Sequence, residues 1–234
     1  MRMLEPTSDT SGAADNAGDH PAGEGSDATA GGGAMGRFRA GMTHQGDGPH
    51  AKPLWRRIVV FFVKWIAILA TLFLLISVLA VWVIGWTGPP STLNMASRAM
   101  SGVDVRREWR GLSQMSPHIV RAVIAAEDQS FCSHDGFDFN EIRKAIDEAE
   151  RGRRVRGAST ITQQTAKNVF LWNGGGMARK GAEAWFTVLV EAMWSKPRIM
   201  EIYLNVAEWG DGNFGVEAAA HARFGVSADK LTTQ

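Results

Sequence analysis

Apolar and polar positions divide the chain into three unlike stretches. Residues 1–50 carry eleven glycines, scattered acids (Glu5, Asp9, Asp15, Asp19, Glu24, Asp27) and one aromatic, Phe38, with no apolar period. Such a stretch buries too little apolar surface to offset the entropy of ordering, so a disordered tail is expected. After a basic segment, residues 51–64, comes Trp65–Trp86, twenty-two residues without a charge. At about 1.5 Å per residue they make roughly 33 Å of helix, against about 30 Å of bilayer hydrocarbon. Trp65, Trp82 and Trp86 fall near the ends, where indoles favour the interface. A buried core helix seldom stays apolar all round for so long, and a signal peptide is shorter, starts earlier and ends in small residues. The pattern predicts one membrane-spanning helix. Lys52, Arg56, Arg57 and Lys64 precede it, whereas a comparable window beyond holds Arg98 and Arg106. The positive-inside rule then puts the tail in the cytoplasm and residues 87–234 outside it. Chemistry there has no ATP and must draw on an already activated substrate.

Gly88, Pro89 and Pro90 end that helix, and residues 87–112 read as a linker with room for short extended pieces. From Ser116 onward the period is helical. Ser116 and Pro117 give an N-cap and a first-turn proline, and Ile119, Val120, Val123 and Ile124 share one face. A second helix is expected over Asn140–Arg151, with Ile142, Ala145, Ile146 and Ala149 inward. Thr160 and Gln163 fit a capping box that starts a third. The next runs from about Met177 to Trp194, with Ala182, Trp185, Phe186, Leu189, Val190 and Met193 on one buried stripe. Ser195-Lys196-Pro197 opens another, with Ile199, Ile202 and Tyr203 inside, and Val216–Arg223 forms a last short one after the turn-rich Trp209–Gly215. No strand-period segment rivals these helices, so the expected class is mainly α.

Composition adds two exclusions. A formal net charge of +1 gives no reason to expect a nucleic-acid partner, and the single cysteine, Cys132, excludes a disulfide framework or a multi-cysteine zinc site. Candidate chemistry begins at Glu127, which continues the apolar face of the helix that opens at Ser116. Desolvation and the negative end of the helix dipole would both raise its pKa, as a general acid or base needs. Pairing with Arg121 or a distant arginine is the structural alternative, and position alone leaves both open. Asp128 or His134 is placed to orient it. Cys132 and His134 are too close in sequence to make a thiol–base pair, so an inert thiol is expected, and a lone histidine gives no metal site. Arg151, Arg153, Arg154 and Arg156 read as a solvated loop or a contact with anionic lipid headgroups. Ser159, Thr160, Thr162, Gln163 and Gln164 crowd a helix start whose free N–H groups suit an anion, and Lys167 adds a full positive charge one turn in. This favours anion or sugar binding. Arg179 and Glu183, four apart, are either a surface ion pair or, with Lys180, a phosphate clamp beside a second active carboxylate.

Five segments in order, EDQSFCSHDG, GASTITQQTAKN, RKGAE, KPRIMEIYLN and GVEAAAHARFG, closely resemble the five motifs of the peptidoglycan glycosyltransferases, glycosyltransferase family 51. FLWNGGG and NVAEWGDGNFGVEAAA look like its stand-alone, monofunctional subgroup. The resemblance covers about Ser113 to Gln234 and implies a lysozyme-like helical domain, residues 113–234, with a groove opening toward the bilayer. It implies polymerisation of lipid II at the outer face of a bacterial cytoplasmic (inner) membrane. An acceptor hydroxyl attacks C1 of the donor sugar, expels undecaprenyl pyrophosphate and inverts the linkage to β-1,4. The resemblance makes Glu127 the base and matches Ser159, Gln163 and Lys167 to the donor site, with Arg179 close by. Glu183 becomes an acid that orients the donor or its positive partners. No cofactor is required, although a divalent cation (Mg or Mn) assisting the pyrophosphate is compatible with it. Expected partners are lipid II, the growing glycan strand, membrane lipids and other cell-wall synthesis or division proteins. Two rivals share these features: a lytic glycan hydrolase, which also works with carboxylates on a helical fold, and a non-catalytic scaffold that binds lipid II.

Three departures from the resembled pattern stand out. Gly175-Gly176 follow FLWNG where Arg-Ser is usual, Arg223 replaces an aromatic before Phe224-Gly225, and further helix is expected beyond LTTQ. The missing arginine implies that Arg179 or Lys180 compensates, and that Gly175→Arg would raise turnover of lipid II.

Overall fold

The computed structural model describes residues 53–153 and 157–232. The expected tail, Lys52, Arg154 and Arg156 lie outside them. Helix α1 spans Leu54–Thr87, eleven residues longer at its start than the charge-free run, because nothing between Trp55 and Lys64 breaks a helix. It is long and apolar enough to cross a membrane. Gly88, at φ 71°, and the two prolines end it.

The stretch without a period holds a helix that the pattern did not show. Helix α2, Leu93–Met100, starts where the Thr92 hydroxyl accepts the Met95 N–H at 3.2 Å. Eight residues are too few for a period to declare itself. Strand β1, Arg106–Arg107, then pairs in parallel with β2, Asn213–Phe214. A 3₁₀ turn at Leu112–Gln114 leads into α3, Pro117–Glu127, capped by Ser116 as expected.

Helix α4, Phe139–Glu150, begins one residue earlier than predicted, because the Asp138 carboxylate caps it by accepting the Asn140 and Glu141 N–H groups. The Glu141 amide outweighs the opposing effect of burial and holds the Asp138 carboxyl below its ordinary range. The inward stripe expected for α4 is corrected. None of its residues is buried, and Ile146 and Ala149 are exposed.

Helix α5, Ile161–Phe170, is the centre of the domain. It carries the predicted capping box and packs between α6, Gly176–Met193, and α7, Lys196–Val206. Ile161, Ala166, Val169, Phe186, Val190, Ile199, Ile202, Leu204 and Val206 form the core there. Helix α8, Val216–Phe224, and a 3₁₀ turn at Ala228–Lys230 close the described chain.

Two buried arrangements fix the assembly. Along α1, only Ser77 and Val81 are buried, and both meet α6 or its end. The Trp185 indole donates to the Ser77 hydroxyl at 3.2 Å, and the Trp194 indole donates to the Val81 carbonyl at 2.9 Å. Gly85 permits this approach, since a Cβ there would lie 2.4 Å from Trp194 Nε1. Arg198 of α7 donates to the Gly85 carbonyl at 2.8 Å, placing a cation at the negative end of α1. The apolar helix is therefore docked on the helical domain, not loosely tethered to it.

The second arrangement centres on Glu217 of α8, which is fully buried. It accepts from the Ala228 N–H at 2.8 Å, Arg110 Nη2 at 2.9 Å, His221 Nε2 at 3.0 Å and the Ser227 hydroxyl at 3.2 Å. Burial alone would raise its carboxyl, but these donors outweigh burial and hold it below the ordinary glutamate value of 4.5. Asn205 of α7 joins the same unit through both the N–H and the carbonyl of Arg110.

A carboxyl depressed in the folded state contributes stability that is complete above its unfolded pKa and fades as pH falls toward the folded one. The thermal midpoint is therefore expected to drop below about pH 4.5, and Glu217→Gln should flatten that drop while lowering the midpoint at pH 7. Gly85→Leu overpacks the Trp194 contact and should lower the midpoint of detergent-solubilised protein by roughly 5 °C in a thermal melt.

Candidate active site

Glu127 is the last residue of α3, and its side chain is exposed at the junction of two clefts. The first, about 530 Å³, is lined by Glu127, Gln164, Lys167, Asn168, Tyr203 and Trp209, among others. The second, about 560 Å³, runs from Glu127 past Ser130 and α4 to Gly157, Ser159 and Thr160. Burial of Glu127, the premise of the expected desolvation, is thus corrected. Its position as the final residue of a helix brings it to the groove and out of the core.

Nor do Asp128 and His134 orient it directly. The Asp128 carboxylate is buried, accepts the Ile161 N–H at 2.9 Å and accepts from His134 Nε2 at 3.0 Å. His134 Nδ1 accepts the Gly136 N–H at 3.1 Å, which assigns the ring proton to Nε2. This pair fixes the backbone around Glu127 and leaves its carboxylate alone. The contact to that carboxylate comes from α5: Gln164 Nε2 donates to Glu127 Oε2 at 2.8 Å.

The helix start expected to bind an anion already has one. Asp128 takes the Ile161 N–H, while Thr160 and Gln163 satisfy each other, with Gln163 N–H to Thr160 Oγ1 at 3.1 Å and Thr160 N–H to Gln163 Oε1 at 3.0 Å. Thr160 Oγ1 further donates to the Gly136 carbonyl at 2.7 Å, and Thr162 Oγ1 donates to Glu191. Thr160, Thr162 and Gln163 are buried. Their polar groups stitch α5 to its neighbours, and only Ser159, Gln164 and Lys167 of that segment are left to meet a ligand. Lys167, half-buried in the first cleft, has no side-chain partner among the described residues.

Glu183 is buried on α6 between two cations. It accepts from Arg179 Nη1 at 2.6 Å and from Lys180 Nζ, which also donates to the Ser159 hydroxyl at 3.2 Å. A carboxylate so enclosed positions its cations and is poorly placed to exchange protons with a substrate. Arg179 and Glu183 do pair four residues apart, but the pair is largely enclosed and not on the surface. Cys132 is exposed and takes no part in either cleft.

Sequence reasoning missed several groove residues. Tyr203 was assigned to the inner face of its helix; it is buried, yet its hydroxyl reaches the groove and donates to Gln164 Oε1 at 3.5 Å. Burial first, and then the charge of Glu127, push this phenol well above its ordinary range. Asn94, from the unforeseen α2, accepts from Asn173 Nδ2 at 2.5 Å across the groove wall. Glu208 is held by Arg98 at 2.8 Å. Arg223, the residue that departs from the resembled pattern, donates to the Trp209 carbonyl at 2.8 Å and so braces the loop that lines the groove.

One cluster of metal-ligating types occurs among the described residues, Glu108, Glu217 and His221. Arg110 Nη2 sits 2.9 Å from both Glu108 Oε1 and Glu217 Oε1, so a guanidinium already supplies the positive charge. The cluster lines neither cleft and does not fit a catalytic ion.

The site is thus a carboxylate between two clefts with an unpaired cation beside it, on a mainly helical domain whose first helix is long and apolar enough to cross a membrane. Residues 94–234 match the Transglycosylase family. The chain is 54% identical to the biosynthetic peptidoglycan transglycosylase of Caulobacter vibrioides over 155 residues, 66% of this chain and 68% of that protein. It is 48% identical to the protein of that name from Pseudomonas aeruginosa, over 68% of this chain and 72% of the relative. The Stutzerimonas stutzeri relative of the same name is 50% identical over 67% of each chain. The chain belongs to the transglycosylase family, as a peptidoglycan glycosyltransferase of cell-wall synthesis. The lytic-hydrolase and scaffold alternatives fall with that assignment.

The expectation that arginine at position 175 would simply raise turnover meets a backbone obstacle. Gly175 has φ 91°, and a Cβ there would lie 3.0 Å from both Arg179 Cβ and Trp172 Nε1. Gly175→Arg should therefore lower the thermal midpoint by a few degrees, on the order of 1–3 kcal/mol of backbone strain. A melt of the variant beside its turnover separates the strain from any gain in charge.

Proposed function

We propose that the enzyme polymerises lipid II into β-1,4-linked glycan strands, and that residues 113–234 form its catalytic unit. One observation carries the reading: Glu127 stands where two clefts meet, with Lys167 unpaired in one of them. An inverting transfer needs this, a base with one sugar on each side. The acceptor's C4 hydroxyl oxygen attacks C1 of the donor, and its proton passes to Glu127. The C1–oxygen bond breaks, and the electron pair leaves with the undecaprenyl diphosphate, whose growing charge Lys167 receives. Gln164 occupies Glu127 Oε2, leaving Oε1 to take the proton. Glu183 holds Arg179 and Lys180 ready and, through Lys180, fixes Ser159 at the second cleft. The activated bond of the lipid diphosphate supplies the energy.

No protein-held metal is required by this scheme. A divalent cation would enter with the diphosphate, and no step depends on it. Helix α1 anchors the domain at the inner membrane with the amino terminus cytoplasmic and the groove on the periplasmic side, as its flanking charges favour. Membrane lipids surround α1, and other cell-wall synthesis or division proteins are the expected protein partners.

Full-length protein incubated with labelled lipid II should yield a polymer that a muramidase digests. Glu127→Gln is expected to lower kcat by at least about 10²-fold, and Lys167→Ala by about 10²- to 10³-fold. Polymer made by Glu127→Gln at the wild-type rate would overturn the assignment.

A further inference from the structure

Three side chains from three helices meet in series on the groove wall. Tyr203 on α7 donates to Gln164 Oε1 at 3.5 Å, and Gln164 Nε2 on α5 donates to Glu127 Oε2 at 2.8 Å at the end of α3. The chemistry of an amide makes this chain directional. Its oxygen end accepts only, and its NH₂ end donates only. Turned over, Gln164 would set an oxygen against the Glu127 carboxylate and lose the one side-chain donor that Glu127 has among the described residues.

We propose that Tyr203 is a positioning residue: through Gln164, it keeps an N–H on Glu127 Oε2 and leaves Oε1 as the oxygen that takes the acceptor's proton. This deepens the reading above and rests on Glu127 being the base. Two features of the site support it. Tyr203 is held by its surroundings, because its ring is buried in the core of α7 and only the hydroxyl reaches the groove. Its phenol also stays protonated across the working range, pushed up by burial and by Glu127's charge, so it remains a donor.

The interaction matters most at the moment of proton transfer. When Glu127 acquires the proton it becomes a potential donor, and a free amide could rotate to accept from it. A Gln164 side chain held at its oxygen by Tyr203, and at its nitrogen by the Ser159 carbonyl at 3.5 Å, resists that rotation, so Glu127 meets the same N–H again once it has passed its proton to solvent water. Gln164, assigned from its position to substrate binding, thereby becomes the link between the core and the base.

The test is a double-mutant cycle on full-length protein with labelled lipid II. Tyr203→Phe keeps the ring and its packing, which a thermal melt verifies. It should lower kcat about three- to tenfold, as loss of one neutral hydrogen bond implies, and leave KM unchanged. On a Gln164→Leu background, which already lacks the link, Tyr203→Phe should cost nothing further. An unchanged kcat in Tyr203→Phe, or equal losses on both backgrounds, would overturn the proposal. Glu127→Gln is run alongside: if it polymerises normally, the assignment of the base has failed, whereas an inactive Glu127→Gln with an additive cycle faults Tyr203 alone.

Discussion

The site depends on a carboxylate whose oxygens are taken up by the protein's own donors. Asp128 lies one residue after Glu127, and its buried side chain takes the first N–H of α5 while His134 closes on it from the following turn. A helix start offers unpaired N–H groups and a partial positive charge, and an anion there is favoured on both counts. Here the protein supplies the anion itself. The bond welds the last turn of α3 to the first turn of α5, and so sets Glu127 beside Gln164 and within the cleft that Lys167 lines. Lys196 extends the weld by donating to the His134 carbonyl at 2.6 Å and pairing with Glu191, which in turn accepts from Thr162. The groove is thus built at the meeting of helix ends, where backbone polar groups need partners and side chains can emerge from the core.

This explains which parts of the molecule could be read from sequence. Helix starts at Ser116, Thr160 and Lys196-Pro197 were legible because capping and first-turn proline are local chemistry. The anchor was legible from its length and lack of charge, although its helix runs on through Arg56 and Lys64. What failed were inferences about where a side chain faces across the fold. Glu127 sits on an apolar face by period yet is exposed, because the face ends where the helix does. Thr160, Thr162 and Gln163 look like ligand donors in one dimension, and in three they are bonded to Gly136, to Glu191 and to one another. Tyr203 carries no local signal at all: its apolar spacing marks core, and only the packing of α5 against α7 brings its hydroxyl to Gln164.

The order of the motifs gave the family, but it could not have given this division of labour. Motif residues were divided between two tasks that the alphabet does not distinguish, building the groove and facing it. Asn205, Glu217 and Asp128 build, each buried and saturated with hydrogen bonds. Such groups are expensive to bury unless every lone pair is met, and here several donors converge on each.

Charge around Glu127 follows the same logic. Glu183 is enclosed by Arg179 and Lys180, and two cations against one carboxylate leave one positive charge in that cluster. A buried ion cluster contributes little to net stability, because desolvation offsets most of the attraction, but it holds its members in one geometry. Through Lys180 the cluster is fixed to Ser159, which lines the second cleft, while Lys167 stands alone in the first. Unpaired positive charge therefore stands on the Lys167 side of Glu127, whereas the second cleft is lined by Asp128, Asp138, Glu141 and Glu148 against Lys144. If the base removes a proton as a diphosphate departs, negative charge moves from carboxylate to leaving group during a single step, and a cation already in place in the first cleft need not reorganise as it moves. A glycan hydrolase, whose leaving group is a neutral hydroxyl, has no use for that arrangement; a transferase fed by a lipid diphosphate does.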